Sequence, residues 1–563
     1  MTKNPIIECV PNFSEGRDEA VIRKITNEIE KIDGVKLLDV DPGKATNRTV
    51  VTFVGHPDAV IEAAFVAIQK ASELIDMSKH KGEHPRMGAT DVCPLIPISD
   101  ITMEETAEYA AKLGKRVGDE LGIPVYMYEN AATKPERQNL ATVRSGEYEG
   151  LADKLADPNW KPDFGPAQFN PKAGATAIAA RDFLIAYNVN LNTTSVRRAN
   201  SVAFDIREKG RVKREGDPIS GKILRDSNGE PLREAGKCKG VKAIGWYIEE
   251  YGMAQISMNI TNTKQTPLHI AFEACRESAT SRGLRVTGSE LVGLVPKQVM
   301  LDAGKFYLTR QNRSHGIPEE EIIHIAVKSM GLDELYPFEP AKKIIEYQLE
   351  RPKSGPLASK NLYEFADETA SESVAPGGGS IAAYVGALGA SLATMVANLS
   401  SHKRGWDDKW EFFSEWAVKG EKLKEDLIHL VDEDTAAFNK IISAIRLPKG
   451  SEEEKSLRKK AIEDATKYAI EVPFRTMQLA DQVFEVAEAM IENGNPTSVT
   501  DAGVGALCAR AASLAAYMNV LVNCKDLEDE DYVKDITKRA TKLKTQAEEK
   551  EKSLSNVVIG KLT

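Results

Sequence analysis

No two cysteines of this chain stand in CxxC spacing: Cys9, Cys93, Cys238, Cys275, Cys508 and Cys524 are scattered through 563 residues. That scatter argues against a disulfide framework and a zinc ribbon, and it fits a reducing cytoplasm. An excess of positive charge is also missing, since 74 Lys and Arg face 84 Asp and Glu for a net charge of −10. A general nucleic-acid binder is therefore not expected, although a local basic pocket for an anionic substrate is compatible with an acidic chain. The opening stretch MTKNPIIECVPNFSEG has neither the basic flank nor the long apolar run of a signal peptide, so a cytoplasmic protein is the expectation. Long hydrophobic runs are scarce. Only residues 381–399 are long and uncharged enough to raise the question of a membrane span, and their Ala, Gly, Ser and Thr content points to a packed helix instead. The expected partners are small molecules, with neither nucleic acid nor membrane.

What is present is a soluble-type composition, 42% hydrophobic and 28% charged, in a chain long enough for two to four domains. Over the first 125 or so residues, short strand-like runs (IIECV, VKLLDV, RTVVTFVG, VCPLIPI, PVYMY) alternate with amphipathic stretches such as 57–76 and 103–121. A second alternation follows GPAQFNPKAGATA. ARDFLIAYNVNLN reads as a strand, 195–208 as a helix, VKAIGWYIEEYGMAQISMNITN as two strands, 266–282 as a helix and RVTGSELVGLV as a strand. Two βαββαβ-like orders predict an α+β half made of twin helix-on-sheet sandwiches, with subdomains at 1–183 and 184–333.

A charged insertion, 211–238, interrupts the second order, and its GDP and SNGE turn signals predict an exposed hairpin. It contains GDPISGK at 216–222, a near-miss of a phosphate loop, but Ile223 stands where magnesium would need Ser or Thr, and no buried strand precedes it. Pro, Gly and Ser then cluster in ERPKSGPLASK, where the strand pattern ends; 334–355 reads as a linker. Beyond it, 361–372, 380–400, 408–446, 451–493, 500–524 and 528–556 all carry helical periods, which predicts an all-helical bundle over 356–563, with dimers forming through it.

Chemistry concentrates in HKGEHPRMGATDVC, residues 80–93. His80 and His84 with Glu83 match the H-x-x-E-H order of inverted zincins, but that motif needs one helical face, and Gly82 and Pro85 oppose a helix there. No metal is expected. An imidazole on a loop beside Glu83 and Arg86 can take and return a proton near neutral pH, with Asp41 at the end of VKLLDVD to orient it. From spacing alone, a surface turn with an incidental histidine stands equally well.

In the helical part, Leu423, Leu427, Leu430, Val431, Phe438, Ile441, Ile442 and Ile445 define an apolar stripe, and Asp434 falls on it. A carboxylate on a core-facing stripe must find a partner or rise in pKa, so a capped structural aspartate and a proton shuttle are both open. Asp432 and Glu433 fall off the stripe and read as a solvated face. Upstream, Gly377, Gly378, Gly379 and Ser380 open a helix of small residues, whose free N–H groups suit an anion.

The runs IIECVPNFSEGRD, LLDVDPGKATNRTVVTFVG, IDMSKHKGEHPRMGATDVCPLIPI and PDFGPAQFNPKAGATAIAARDFLIAYNVNL closely resemble glutamate formimidoyltransferases. SVAPGGGSIAAYVGALGASLATMV and HLVDEDTAAF resemble formimidoyltetrahydrofolate cyclodeaminases. The resemblance implies a bifunctional folate enzyme of histidine breakdown. Its first half would move a formimidoyl group from N-formimidoyl-L-glutamate to tetrahydrofolate, and its second would close the ring to 5,10-methenyltetrahydrofolate with release of ammonia. It places the transferase acid/base at His84, with Asp41 and Arg86 supporting, Arg86 toward a substrate carboxylate. It places folate at Gly165, Pro166, Ala167, Gln168, Phe169, Asn170, Pro171, Lys172, Ala173 and Gly174, and the cyclodeaminase acid/base at Asp434, with a second folate site, for the polar edge of a pterin, expected at Gly377, Gly378, Gly379 and Ser380. Tetrahydrofolate enters as co-substrate, with a polyglutamate tail that would favour channelling in a homo-oligomer. The alternative is a transferase fused to a methenyltetrahydrofolate cyclohydrolase or to a non-catalytic folate-binding helical domain.

Overall fold

A computed structural model describes residues 5–43, 47–81, 86–216, 221–349, 355–525 and 527–563. The chain divides into two compact units, residues 1–300 with 330–349, and residues 301–329 with 350–563.

The first unit holds the predicted strand and helix alternation as two sheets. In the first sheet, β1 (Ile6–Cys9) and β2 (Asn12–Phe13) precede α1 (Glu19–Glu30), β3 (Val35–Gly43), β4 (Arg48–Gly55), α2 (Pro57–Leu74), β5 (Thr90–Ser99), α3 (Met103–Leu121) and β6 (Val125–Glu129). Two short helices, α4 (Leu140–Val143) and α5 (Leu151–Ala156), lead to β7 (Thr176–Ala180), which slips between β5 and β6 as a parallel strand. The β1, β3, β4 and β5 pairings are antiparallel. Alternation decides the faces: Ile7 and Cys9 turn toward α1, α2 and α3 and are fully buried with Phe53, Ile25 and Ile68, while Glu8 between them turns to the other side.

The second sheet has order β11-β12-β8-β13, all antiparallel, from β8 (Ile185–Leu191), α6 (Val196–Ile206), β9 (Arg211–Val212), β10 (Arg233–Glu234), β11 (Val241–Ile248), β12 (Met253–Ile260), α7 (Leu268–Ser281) and β13 (Val286–Val292). With β9 and β10 set aside, this is the expected βαββαβ order. Those two strands pair with each other inside the charged insertion, which is the exposed hairpin its turn residues predict. The sequence reading places one strand over 180–192; the structure ends β7 at Ala180 and starts β8 at Ile185, so the two strands belong to different sheets.

Two helices near the end of the α+β sequence, α8 (Lys297–Arg310) and α9 (Glu319–Met330), run into the second unit, whereas α10 (Pro340–Lys343) and α11 (Ile345–Leu349) return to the first. The second unit is otherwise the expected helical bundle: α12 (Leu362–Ala370), α13 (Gly378–Ser401), α14 (Trp410–Ile445), α15 (Glu452–Asn493), α16 (Val499–Cys524) and α17 (Glu530–Leu562). Small residues set its geometry. A Cβ on Gly389 would come within 2.8 Å of the Gly505 carbonyl oxygen, and one on Gly386 within 3.2 Å of Leu427, so α13 lies close against both α14 and α16. Two segments, Gly378–Ser401 and Pro496–Cys524, are long and apolar enough to cross a membrane by length and composition. In α13 the residues concerned, Ala383, Ala387, Ala390, Ala393, Val396 and Ala397, are fully or almost fully buried in the bundle core.

Candidate active sites

The helical unit shows why Asp434 is where it is. Along α13 and α14, Thr394 meets Gly420, Gly386 meets Leu427, and Gly379 meets Asp434, so the helices run antiparallel and α13 begins level with Asp434. Upstream of that level the apolar stripe is covered, with Leu423, Leu427, Leu430 and Val431 all buried. Beyond it the cover ends, and Phe438 is 46% exposed and Ile445 46% exposed, contrary to a stripe buried along its whole length. Asp434 thus sits where the core gives way to an opening.

Its carboxylate closes the start of α13. Oδ2 accepts from the Ser380 backbone N–H at 2.9 Å and from Ser380 Oγ at 3.2 Å. A Cβ on Gly379 would overlap Oδ1, so the third glycine of the GGGS run is the one that makes room for the acid. Burial raises the Asp434 pKa against the lowering effect of the Ser380 hydrogen bonds. Capping of α13 and a raised pKa thus meet in one residue. A cavity of about 180 Å³ opens on it, lined also by Gly377, Gly378, Thr435, Phe438, Asn519 and Asn523.

The neighbouring acids are not a solvated face. Asp432 accepts from the backbone N–H groups of Leu357 at 2.8 Å and Ala358 at 3.1 Å, fixing the turn before α12. Glu433 accepts the Tyr468 hydroxyl and lies 3.5 Å from His429. Off-stripe positions of a long helix in a bundle face other helices, and helical period alone does not count those neighbours.

In the first unit, His84 lies outside the described residues; the described residues on either side of it, His80, Lys81 and Arg86, are tied to other segments. Asn47, at positive φ (48°) before β4, receives the Gly16 N–H on Oδ1 and donates Nδ2 to the Lys81 carbonyl, both at 3.0 Å. His80 Nε2 is 2.9 Å from the Asn47 carbonyl, and Arg86 Nε donates to His80 Nδ1 at 3.2 Å. That pair of contacts puts the ring proton on Nε2, and burial, the largest cause, lowers the His80 pKa. Arg86 is buried, and its guanidinium reaches Glu149 through both Nη atoms (3.0 and 2.8 Å) and Glu147 at 3.4 Å. Among the described residues, the carboxylates that Arg86 meets are those of Glu147 and Glu149.

The same 144–149 segment reaches the predicted folate loop. Tyr148 donates to the Pro171 carbonyl at 2.6 Å, and its ring lies 5.5 Å from that of Phe169. Asn170 Oδ1 accepts from Lys172 and Ala173 N–H, and Gly174 bridges to Gly88 at positive φ (68°), where any Cβ would strike the Met87 carbonyl. Gly165, also at positive φ (79°), packs under Ile123. Pro166, Ala167 and Gln168 are exposed between these anchors. His80, Arg86 and the 165–174 loop are therefore held as one assembly. Asp41 is exposed at the end of β3, opposite Val50; burial, the largest cause, lowers the Arg48 pKa, and Asp41 acts against that fall.

Sequence reasoning missed Glu8, whose side chain is buried on the sheet face away from α1 and α2. Burial pushes its carboxyl up to about 7, with Arg181 acting against the rise. The signal was one polar residue in IIEC, too short a run to fix a face. It missed Asn519 and Asn523 as well, because α16 has no polar pattern to single them out.

Family profiles match in order along the chain: the formiminotransferase domain, N-terminal subdomain, over residues 6–181; the formiminotransferase domain over 186–350; and formiminotransferase-cyclodeaminase over 361–542. The formimidoyltransferase-cyclodeaminase of Mus musculus is 41% identical over 99% of this chain and 98% of its own. The chain belongs to the formimidoyltransferase-cyclodeaminase family. A glutamate formimidoyltransferase of Streptococcus pyogenes is 44% identical over 54% of this chain and 93% of its own. A methenyltetrahydrofolate cyclohydrolase of Methylorubrum extorquens is 34% identical over 34% and 91%. Among solved structures, the formiminotetrahydrofolate cyclodeaminase of Thermotoga maritima is 28% identical, with 36% and 98% covered and a TM-score of 0.33. The 165–174 loop and the Asp434 cavity thus fall in the transferase and cyclodeaminase segments respectively.

Proposed function

We propose that this chain is a bifunctional folate enzyme of histidine breakdown. The first unit carries the formimidoyl group from N-formimidoyl-L-glutamate to N5 of tetrahydrofolate, and the helical unit cyclises 5-formimidoyltetrahydrofolate to 5,10-methenyltetrahydrofolate with release of ammonia. The observation that carries this is full-length similarity to enzymes named for both activities, joined to a buried carboxyl of raised pKa at the mouth of a cavity.

In the transfer, N5 attacks the amidine carbon and the C–N bond to glutamate breaks. The proton lost by N5 must reach the departing nitrogen, and His84 in GEHPRMG is the group proposed to carry it. The 165–174 loop, pinned at both ends with an exposed middle, offers backbone to a flat ligand. In the cyclisation, N10 attacks the formimidoyl carbon. Asp434 takes the N10 proton and returns it to the amino nitrogen, which leaves as ammonia. A carboxyl of raised pKa suits both directions of that exchange.

Tetrahydrofolate is the co-substrate of both steps, polyglutamylated in the reading that joins the activities by channelling. The free thiols support a cytoplasmic location. Exposed apolar side chains on α13 and α16, among them Leu388, Leu399, Leu507, Met518 and Val522, support pairing of two copies through the helical unit.

The test mixes the protein with tetrahydrofolate and N-formimidoylglutamate while following methenylfolate absorbance and ammonia. Wild type makes both, His84→Ala stops at substrate, and Asp434→Asn accumulates 5-formimidoyltetrahydrofolate. The cyclohydrolase similarity favours one second reading, in which the helical unit hydrolyses methenyltetrahydrofolate; decay of added methenylfolate without ammonia formation would establish it.

A further inference from the structure

The cavity beside Asp434 has a second wall that the proton exchange leaves unused. Asn519 and Asn523 stand one helical turn apart on α16, and both line the cavity. Their amide orientations are fixed by their partners: Asn519 Nδ2 donates to the Ala515 carbonyl at 2.9 Å, and Asn523 Nδ2 donates to the Ala469 carbonyl at 2.7 Å. A nitrogen held on a carbonyl turns the amide oxygen the other way, and among the described residues neither Oδ1 receives a donor. The Asn519 amide also faces the first turn of α13, where a Cβ on Gly378 would come within 3.3 Å of Nδ2 and 3.5 Å of Oδ1.

The opposite wall is likewise incomplete. Thr435 Oγ1 is buried and, among the described residues, has no hydrogen-bond partner. A helical threonine commonly bonds the carbonyl four residues back, but the Val431 oxygen already accepts Ser380 Oγ at 2.8 Å. A cavity with two open amide oxygens and a carboxyl oxygen is rich in acceptors. Its complement is a flat ring edge rich in donors, of which a cyclic guanidine, with an amino group beside a ring N–H, is the folate example.

Building on the reading of the helical unit above, we propose that Asn519 and Asn523 orient the folate ring there, their Oδ1 atoms accepting from the amino group and ring N–H of its pyrimidine edge. Asp434 is then left to the proton exchange. The pair are positioning residues, and they make the site select a 2-amino ring over one without that group. Losing a hydrogen bond that a site was built to make leaves buried acceptors unpaired, which is the strong form of discrimination.

The experiment uses the full chain supplied directly with 5-formimidoyltetrahydrofolate and reads ammonia release. Asn519→Leu and Asn523→Leu are expected to raise KM tenfold or more while kcat falls by less, with the transferase rate unchanged. Asn519→Asp, which keeps an acceptor, is expected to bind better than Asn519→Leu. A second measurement needs no variant: 5-formyltetrahydrofolate and its 2-desamino analogue compete against ammonia release by wild type, and the analogue's inhibition constant is expected to be at least tenfold higher. In Asn519→Leu that gap narrows. Equal inhibition constants in wild type, or an unchanged KM in both leucine variants, would overturn the proposal. If wild type releases no ammonia from 5-formimidoyltetrahydrofolate, it is the cyclodeaminase reading that fails.

Discussion

Gly379 stands against Asp434 so closely that a single methyl group on it would occupy the place of carboxylate Oδ1. Gly379→Ala must therefore move the acid or the start of α13. A displacement of about 1 Å at a reacting group costs on the order of a hundredfold in rate, so ammonia release should fall by about that factor. Overpacking costs about 1–3 kcal/mol of stability in the helical unit. The transferase rate measured in the same sample should match wild type; a variant with normal ammonia release would show that the carboxylate position is not set by this contact.

Asp434→Asn separates function from stability. The folded-state pKa of Asp434 is raised by burial, so ionisation costs the folded protein stability as pH rises through that pKa, and the cost is absent below the ordinary carboxyl range. The asparagine keeps an oxygen for the Ser380 N–H and carries no charge. It should lose cyclisation yet unfold at a higher temperature than wild type at pH 8, with the gain vanishing near pH 4. Denaturation scans at the two pH values check this, and an equal or lower midpoint at pH 8 would show that capping outweighs desolvation.

For Glu8 the same linkage spans a wider window of pH. Its carboxyl titrates at about 7 in the folded chain against an ordinary 4.5. The folded state binds the extra proton between those values, so wild type loses stability across that window, on the order of 3 kcal/mol by pH 8. Glu8→Gln should abolish that loss and leave stability at pH 4 unchanged. If Glu8 also exchanges protons during transfer, the transferase pH profile loses a limb near 7 in the variant. A stability difference that does not change between pH 4 and 8 would mean that Glu8 titrates alike in the folded and the unfolded chain.

The contrast between these residues shows where the sequence was readable. The faces of β8 and β12 follow from alternation, and the helices of the bundle follow from period, because both signals repeat along the chain. Asp434 was legible because one acid interrupts a stripe. Its setting was not: the stripe opens at Phe438 because α13 starts level with Asp434, a fact about two helices at once. Arg86 was legible as a carboxylate partner, but Glu147 and Glu149 lie more than fifty residues away in sequence, and spacing carries no trace of that meeting. Asn519 and Asn523 have no signal in α16 by itself, since their importance depends on Gly378 and Ala469.

The last prediction concerns where the helical unit begins. The segment between α8 and α9 packs onto the bundle within the second unit: the Gly316 backbone lies against Ala417, Asn398 Nδ2 donates to the Gly316 carbonyl at 2.7 Å, and the His315 N–H donates to Ser414 Oγ at 3.0 Å. Asn398 Oδ1 is buried and has no partner among the described residues, so losing Gly316 would leave both ends of that amide unpaired. Each buried polar group left unsatisfied costs about 1–3 kcal/mol. A fragment of residues 356–563 should therefore unfold at lower denaturant than one of residues 297–563, and Asn398→Leu should narrow the gap by relieving the orphaned amide in the shorter fragment. If the two fragments unfold together, residues 301–329 rest on the bundle without supporting it, and the shorter fragment suffices for assaying ammonia release by itself.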